Sequence, residues 1–87
     1  MHQLAFGKTF LNSAKKLDRV LQPKLKSSLD FLSANPFHPT LRTKPLTGKL
    51  LGYYSLRLGG DYRVIFKIIS SKEIFLLKVG HRKDIYR

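Results

Sequence analysis

The sequence contains no cysteine, and only 5 of its 87 residues are acidic. The lack of cysteine excludes disulfide bonds, thiolate catalysis and cysteine-ligated metal sites. Metal-assisted phosphoryl transfer needs several carboxylates in one place, and no two of the five lie close together along the chain. We therefore expect neither a metal ion nor another cofactor.

Long hydrophobic runs are also missing from the sequence. No segment approaches the roughly 20 apolar residues that span a bilayer, and the start, "MHQLAFGKTF", lacks the apolar region of a secretory signal. We expect a cytoplasmic protein without a membrane partner. Apolar residues make up 43% and charged residues 25% of the chain, which is typical of a folded globular domain. The length predicts a single domain over residues 1–87.

Basic residues dominate the charge of the chain. Lysine and arginine number 17, and the formal net charge is +12. A small domain usually carries a net charge of magnitude about 2 to 8, so a solubilising surface is the weaker explanation. The excess predicts a polyanionic partner, either nucleic acid or an acidic protein.

The spacing of apolar residues predicts an α+β fold. Two helical patterns are followed by three alternating patterns with glycine-rich or serine-rich turns between them. We expect an N-terminal strand and a two-helix hairpin packed on an antiparallel meander of three C-terminal strands. The predicted elements are an edge strand over residues 2–6, helices over 8–18 and 20–34, a long basic loop over 35–49, and strands over 53–58, 62–69 and 73–80.

The stretch "SLRLGGDYRVIF", residues 55–66, predicts two strands joined by the three-residue loop 59–61. That register places Arg57 opposite Arg63. It divides the hairpin into an arginine face, which carries Ser55, Arg57, Arg63, Ile65 and Lys67, and a helix face that packs on the helices. Directly opposed like charges are destabilising. A bound phosphodiester relieves this repulsion, because guanidinium groups match phosphate oxygens in pairs.

The C-terminal segment adds further candidates to this end of the sheet. An analogous register across residues 70–72 adds His81, and "RKDIYR" follows it. Histidine titrates near neutral pH and suits proton transfer from an RNA 2′-OH, whereas arginines stabilise the charged phosphorane. Tyr86 could stack on a base or hold a proton in place.

Each of these assignments has a structural alternative. Asp61 and Asp84 could neutralise the arginines in an ordinary network of ion pairs. His81 could be a surface residue at a strand end, and Tyr86 could cover the edge of the core.

The segments "GDYRVIFKI" and "VGHRKDIYR" resemble the RelE/ParE superfamily of toxins from bacterial and archaeal type II toxin-antitoxin modules. The resemblance covers nearly the whole chain and implies a RelE-like fold. For the RelE branch it implies an mRNA interferase, which is a ribosome-dependent endoribonuclease that cuts messenger RNA without a metal ion. The ending "GHRKDIY" favours that branch over ParE-like inhibition of DNA gyrase. A non-catalytic RNA-binding or ribosome-binding module is a third possibility.

Four residues match positions that the resemblance implies to be functional: Arg57, Arg63, Arg82 and Tyr86. Ser55 departs from the pattern, because the RelE type member has a lysine there, and this shifts the predicted proton acceptor to His81. The predicted catalytic residues are Arg57, Arg63, His81, Arg82 and Tyr86, and the predicted RNA contacts are Lys44, Lys49, Lys67, Lys83 and Arg87. The expected partners are a cognate acidic antitoxin and the ribosome with its message.

Overall fold

A mixed five-stranded sheet with the strand order β1-β5-β4-β3-β2 forms the centre of the protein. The computed structural model describes residues 1–86. The strands are β1 (Gln3–Phe6), β2 (Lys44–Pro45), β3 (Tyr54–Leu58), β4 (Tyr62–Ser70) and β5 (Glu73–His81). The helices are α1 (Lys8–Lys15) and α2 (Gln22–Ala34), with 3-10 helices at Arg19–Leu21, Pro39–Leu41 and Gly48–Leu50. The predicted α+β fold is confirmed.

The predicted meander and edge strand are also present. β3, β4 and β5 pair antiparallel in sequence order, and β1 lies parallel to β5 at one edge of the sheet. Arg57 and Arg63 are Cα partners across the first hairpin, as the three-residue loop predicts. Within residues 1–86, no helix has the length and apolar character needed to cross a membrane.

The helices are shorter than the apolar spacing predicts. α1 ends at Lys15, and Asp18 takes an extended conformation that separates it from the next segment. Residues 19–21 form a 3-10 turn, and α2 begins at Gln22 with Pro23 in its first turn. Proline has no backbone N–H to donate, so it fits the first turn of a helix and not its interior.

The segment predicted as loop 35–49 contains a short strand that sequence analysis missed. β2 pairs antiparallel with β3 through Lys44 opposite Ser55 and Pro45 opposite Tyr54. Two residues are too few to show an alternating pattern, and a proline is tolerated in a strand only at an edge of the sheet. The pairing brings Lys44 to the arginine face.

The main core lies between the helices and the helix face of the sheet, as predicted. Its buried residues are Phe10, Leu17, Leu25, Leu32, Leu41, Leu56, Leu58, Val64, Phe66, Ile74, Leu76 and Val79. A second, smaller cluster of Leu46, Ile65 and Ile85 lies on the arginine face. Part of that face is therefore packed and does not form an open basic surface.

An irregularity in the pairing of β4 with β5 changes the face of the sheet on which the last side chains of β5 lie. Phe66 pairs with Leu76, but Ile65 pairs with Lys78, so β5 contains one extra residue at this point. A one-residue slip moves every later side chain to the other face. His81 consequently pairs with Tyr62. It lies at the predicted end of the sheet but on the helix face, whereas an uninterrupted register would place it on the arginine face.

Candidate functional site

A cleft of about 430 Å³ opens at the turn end of the arginine face. Its lining residues are Lys44, Arg63, Arg82, Lys83 and Tyr86, and together they are called the basic cleft below. Lys44 comes from β2 and Arg63 from the start of β4, whereas the other three belong to residues 82–86, the C-terminal turn. The fold thus brings together five predicted site residues that are up to 42 positions apart in the sequence.

The C-terminal turn is fixed to the sheet by apolar and polar contacts. Ile85 is only 4% exposed and packs in the cluster with Leu46 and Ile65. The hydroxyl of Tyr86 donates to Oγ of Ser55 at 3.4 Å. Tyr86 itself remains 41% exposed. Ile85 therefore covers the core edge, and the Tyr86 ring remains accessible beside the cations.

Arg63 is held in place by the turn that precedes it. Its Nη1 donates to the carbonyl oxygens of Gly60 at 3.0 Å and Tyr62 at 2.8 Å. A guanidinium has five N–H donors, and these two contacts leave the donors on Nε and Nη2. The side chain is thus preorganised for a ligand, which reduces the entropy lost on binding.

Arg82 is paired with an acidic residue. Its Nε lies 3.4 Å from Oδ1 of Asp61, and its backbone N–H donates to the carbonyl oxygen of Asp61 at 2.7 Å. Both side chains are more than half exposed, so the ion pair contributes about 0 to 1 kcal/mol. One such pair does not neutralise a cleft with four cations, because Arg63 and the lysines of the basic cleft remain in excess.

A second cleft of about 380 Å³ lies next to the basic cleft and shares Lys44 and Tyr86 with it. Its remaining walls are Pro45, Leu46, Thr47, Lys49 and Leu50. Lys49, a predicted RNA contact, therefore lies near the basic cleft but not in it. The two clefts thus share a wall that carries one cation, Lys44, and the ring of Tyr86.

Three predicted site residues lie elsewhere. Arg57 lines a separate groove against α2, with Pro23 and Phe31 among its neighbours, although its Cα is paired with that of Arg63. The Nζ of Lys67 lies 5.6 Å from the centre of the Tyr53 ring. His81 packs against Tyr62 on the helix face.

Arg87 lies outside the described residues. Within residues 1–86, no three histidine, aspartate or glutamate side chains are grouped closely enough to hold a metal ion.

Ser55 is a site residue whose role sequence analysis missed. It is 1% exposed and accepts the hydrogen bond from Tyr86. Its position on the arginine face followed from the alternation of the strand, but its partner is 31 residues away. The signal for this contact was weak, because nothing in the sequence specified how the C-terminal turn folds back.

A family model described as the ParE toxin of type II toxin-antitoxin systems, parDE, matches residues 4–86. Among solved structures, YafQ from E. coli strain BL21(DE3) is similar, with a TM-score of 0.79, 19% identity and 100% coverage of both chains. The RelBE2 toxin-antitoxin complex from Mycobacterium tuberculosis gives a TM-score of 0.74 and 29% identity over 93% of this chain and 98% of the other.

The RelB-RelE complex from Methanococcus jannaschii gives a TM-score of 0.75 and 26% identity, with 94% of each chain covered. A search of curated proteins finds no match.

Proposed function

The chain belongs to the ParE toxin family of type II toxin-antitoxin systems, and on that premise we propose that this toxin cleaves messenger RNA on the ribosome without a metal ion. The observation that carries the proposal is the basic cleft, in which two arginines and two lysines surround the accessible ring of Tyr86. This arrangement suits a phosphodiester beside a stacked base.

The proposed reaction uses a nucleophile that the RNA supplies. The 2′-oxygen loses its proton and forms a bond to the adjacent phosphorus. The bond from phosphorus to the 5′-oxygen breaks, and that oxygen takes up a proton. The products are a 2′,3′-cyclic phosphate and a 5′-hydroxyl. The phosphorane between these steps carries more negative charge than the substrate, so preorganised cationic donors lower the barrier.

Each residue in or beside the basic cleft has a separate role in the proposed reaction. Arg63 is fixed on its own turn and supplies free N–H donors to the phosphate oxygens. Arg82 stabilises the phosphorane and the leaving oxygen, and Asp61 orients its guanidinium. Tyr86 is held through Ser55 and stacks on a neighbouring base. Lys44 and Lys49 extend the positive charge along the strand.

The proposed partners follow from the charge of the surface. A net charge of +12 attracts the ribosome with its message in the cytoplasm and also an acidic antitoxin segment that competes for the same cations. Structures of similar fold contain the antitoxins DinJ, RelB and YefM. We propose that the cognate antitoxin of this chain covers the basic cleft and excludes RNA from it.

Inhibition of DNA gyrase is the second candidate function. It is favoured by the matching family model, which carries the ParE description. The C-terminal turn argues for RNA as the target, because it brings Arg82, Lys83 and Tyr86 to one cleft.

Induction of the toxin in a bacterial host separates the two functions. We expect translation to stop within minutes and new 5′ ends to appear within codons of translated messages, while plasmid supercoiling stays normal. Primer extension and gel electrophoresis of plasmid DNA measure these outcomes. Broken or relaxed DNA with intact messages would favour the gyrase function. Arrested translation with intact messages would favour a non-catalytic ribosome-binding module.

A further inference from the structure

We propose that His81 is a positioning residue that sets the geometry of the C-terminal turn, and that it is not the proton acceptor of the reaction. This proposal rests on the proposed function, because one of its tests measures the rate of RNA cleavage. Its structural part concerns one hydrogen bond inside the chain and can be tested without RNA.

The hydrogen bonds of His81 organise the start of the turn. The backbone N–H of Lys83 donates to Nδ1 of His81 at 3.1 Å. The N–H groups of Asp84 and Ile85 both donate to the His81 carbonyl oxygen at 2.9 Å. Three consecutive N–H groups of the turn therefore end on one residue. Of these three residues, Lys83 lines the basic cleft, and Ile85 anchors the turn in the second cluster.

The same local motif occurs a second time in the chain. The N–H of Thr40 donates to Nδ1 of His38 at 3.1 Å, at the start of the 3-10 helix Pro39–Leu41. In both cases the ring nitrogen accepts from the residue two positions later. Asparagine and aspartate side chains make the equivalent contact in Asx turns. The histidines thus serve as side-chain caps for short turns.

The ring of His81 is held away from the basic cleft. Its centroid lies 5.3 Å from that of Tyr62, and the two rings meet edge to face at 73°. Tyr62 is also its Cα partner across the sheet, so backbone pairing and ring packing fix the same position. This position is on the helix face, whereas Arg63 is on the arginine face.

The hydrogen bond to Lys83 also determines what the ring can do chemically. A neutral imidazole has one N–H nitrogen and one acceptor nitrogen. When Nδ1 accepts from Lys83, the ring proton is on Nε2, and no lone pair is free to take the 2′-OH proton. Protonation at Nδ1 would remove the contact that organises the turn. The histidine therefore acts through Arg82, Lys83 and Tyr86.

The test compares His81→Ala with His81→Asn in the full-length toxin. Asparagine can replace Nδ1 as the acceptor for the Lys83 N–H, but it cannot take up a proton near neutral pH. We expect His81→Asn to cleave ribosome-bound RNA within about threefold of the wild-type rate, and His81→Ala to lose about tenfold or more, as one lost hydrogen bond implies. The matched control, His38→Ala, removes the equivalent contact at Thr40 and should leave the rate unchanged.

Two nuclear magnetic resonance measurements on the free protein complete the test. Long-range proton-nitrogen spectra should show His81 as the Nε2–H tautomer, and amide exchange at Lys83 should accelerate in His81→Ala but not in His81→Asn. An Nδ1–H tautomer would overturn the proposal. It would also fail if His81→Asn were as inactive as His81→Ala while the Lys83 amide stayed protected, or if His81→Ala cleaved normally. Should the wild type not cleave RNA at all, the tautomer and exchange results still decide the structural claim.

Discussion

The variant Arg63→Ala is expected to cleave ribosome-bound message about 100 to 1,000 times more slowly than the wild type, the usual effect of removing one preorganised donor to a developing anion. Arg63 is chosen because the carbonyl oxygens of Gly60 and Tyr62 hold its guanidinium in place before any ligand binds. Single-turnover cleavage of a message on programmed ribosomes measures the effect, and thermal unfolding verifies that the variant is folded.

Two matched variants separate a local effect from a general loss of charge. Arg19→Ala removes the same charge from an exposed position in the 3-10 helix Arg19–Leu21 that does not line the basic cleft, and its rate should stay within about threefold of the wild type at moderate salt, because salt screens exposed charges. Arg57→Ala tests a residue that lines a different groove, and we expect a smaller loss than for Arg63→Ala. Equal losses in Arg63→Ala and Arg19→Ala would mean that the basic cleft has no special role.

The variant Ile65→Ala is expected to lower the free energy of unfolding by about 2 to 5 kcal/mol, as large-to-small substitutions in packed cores do. Ile65 is fully buried on the arginine face and packs with Leu46 and Ile85. Its side chain therefore supports both the β2 segment and the C-terminal turn. Total stabilities of small domains are about 5 to 15 kcal/mol, so this single change removes a large fraction.

The matched control lies on the same strand. Ile69 is 51% exposed, and Ile69→Ala should change the stability by no more than about 0.5 kcal/mol. Equilibrium urea unfolding of both variants measures the difference. Similar stabilities for the two variants would show that the second cluster does not support the clefts.

The predictable part of the fold is the part that local pattern determines. Alternation in residues 53–58 and 62–69 specified both the strands and the pairing of Arg57 with Arg63. The extra residue in β5 was missed although the sequence carries a signal for it, because an uninterrupted register would place Lys78 opposite the core residue Val64 and leave Val79 outside the main core. β2 was missed for a different reason, since its pairing depends on contacts with β3 and not on its own two residues.

The candidate site was also predictable only in part. Arg63, Arg82 and Tyr86 could be named from sequence because residue type and the resemblance both pointed to them, and the structure places them around one cleft. The position of His81 depended on the irregularity in β5. The second cluster could not be foreseen, because Leu46, Ile65 and Ile85 come from three separate segments whose meeting only the tertiary fold specifies.

The proposed reaction at the basic cleft requires that the RNA supply its own nucleophile, the 2′-OH. The most direct test uses programmed ribosomes with two messages that differ only at the mapped cleavage site, where one has the 2′-OH and the other a hydrogen. We expect the first message to be cut to a 2′,3′-cyclic phosphate and the second to stay intact at that bond. Cleavage of the 2′-deoxy message at a similar rate would contradict the proposed reaction.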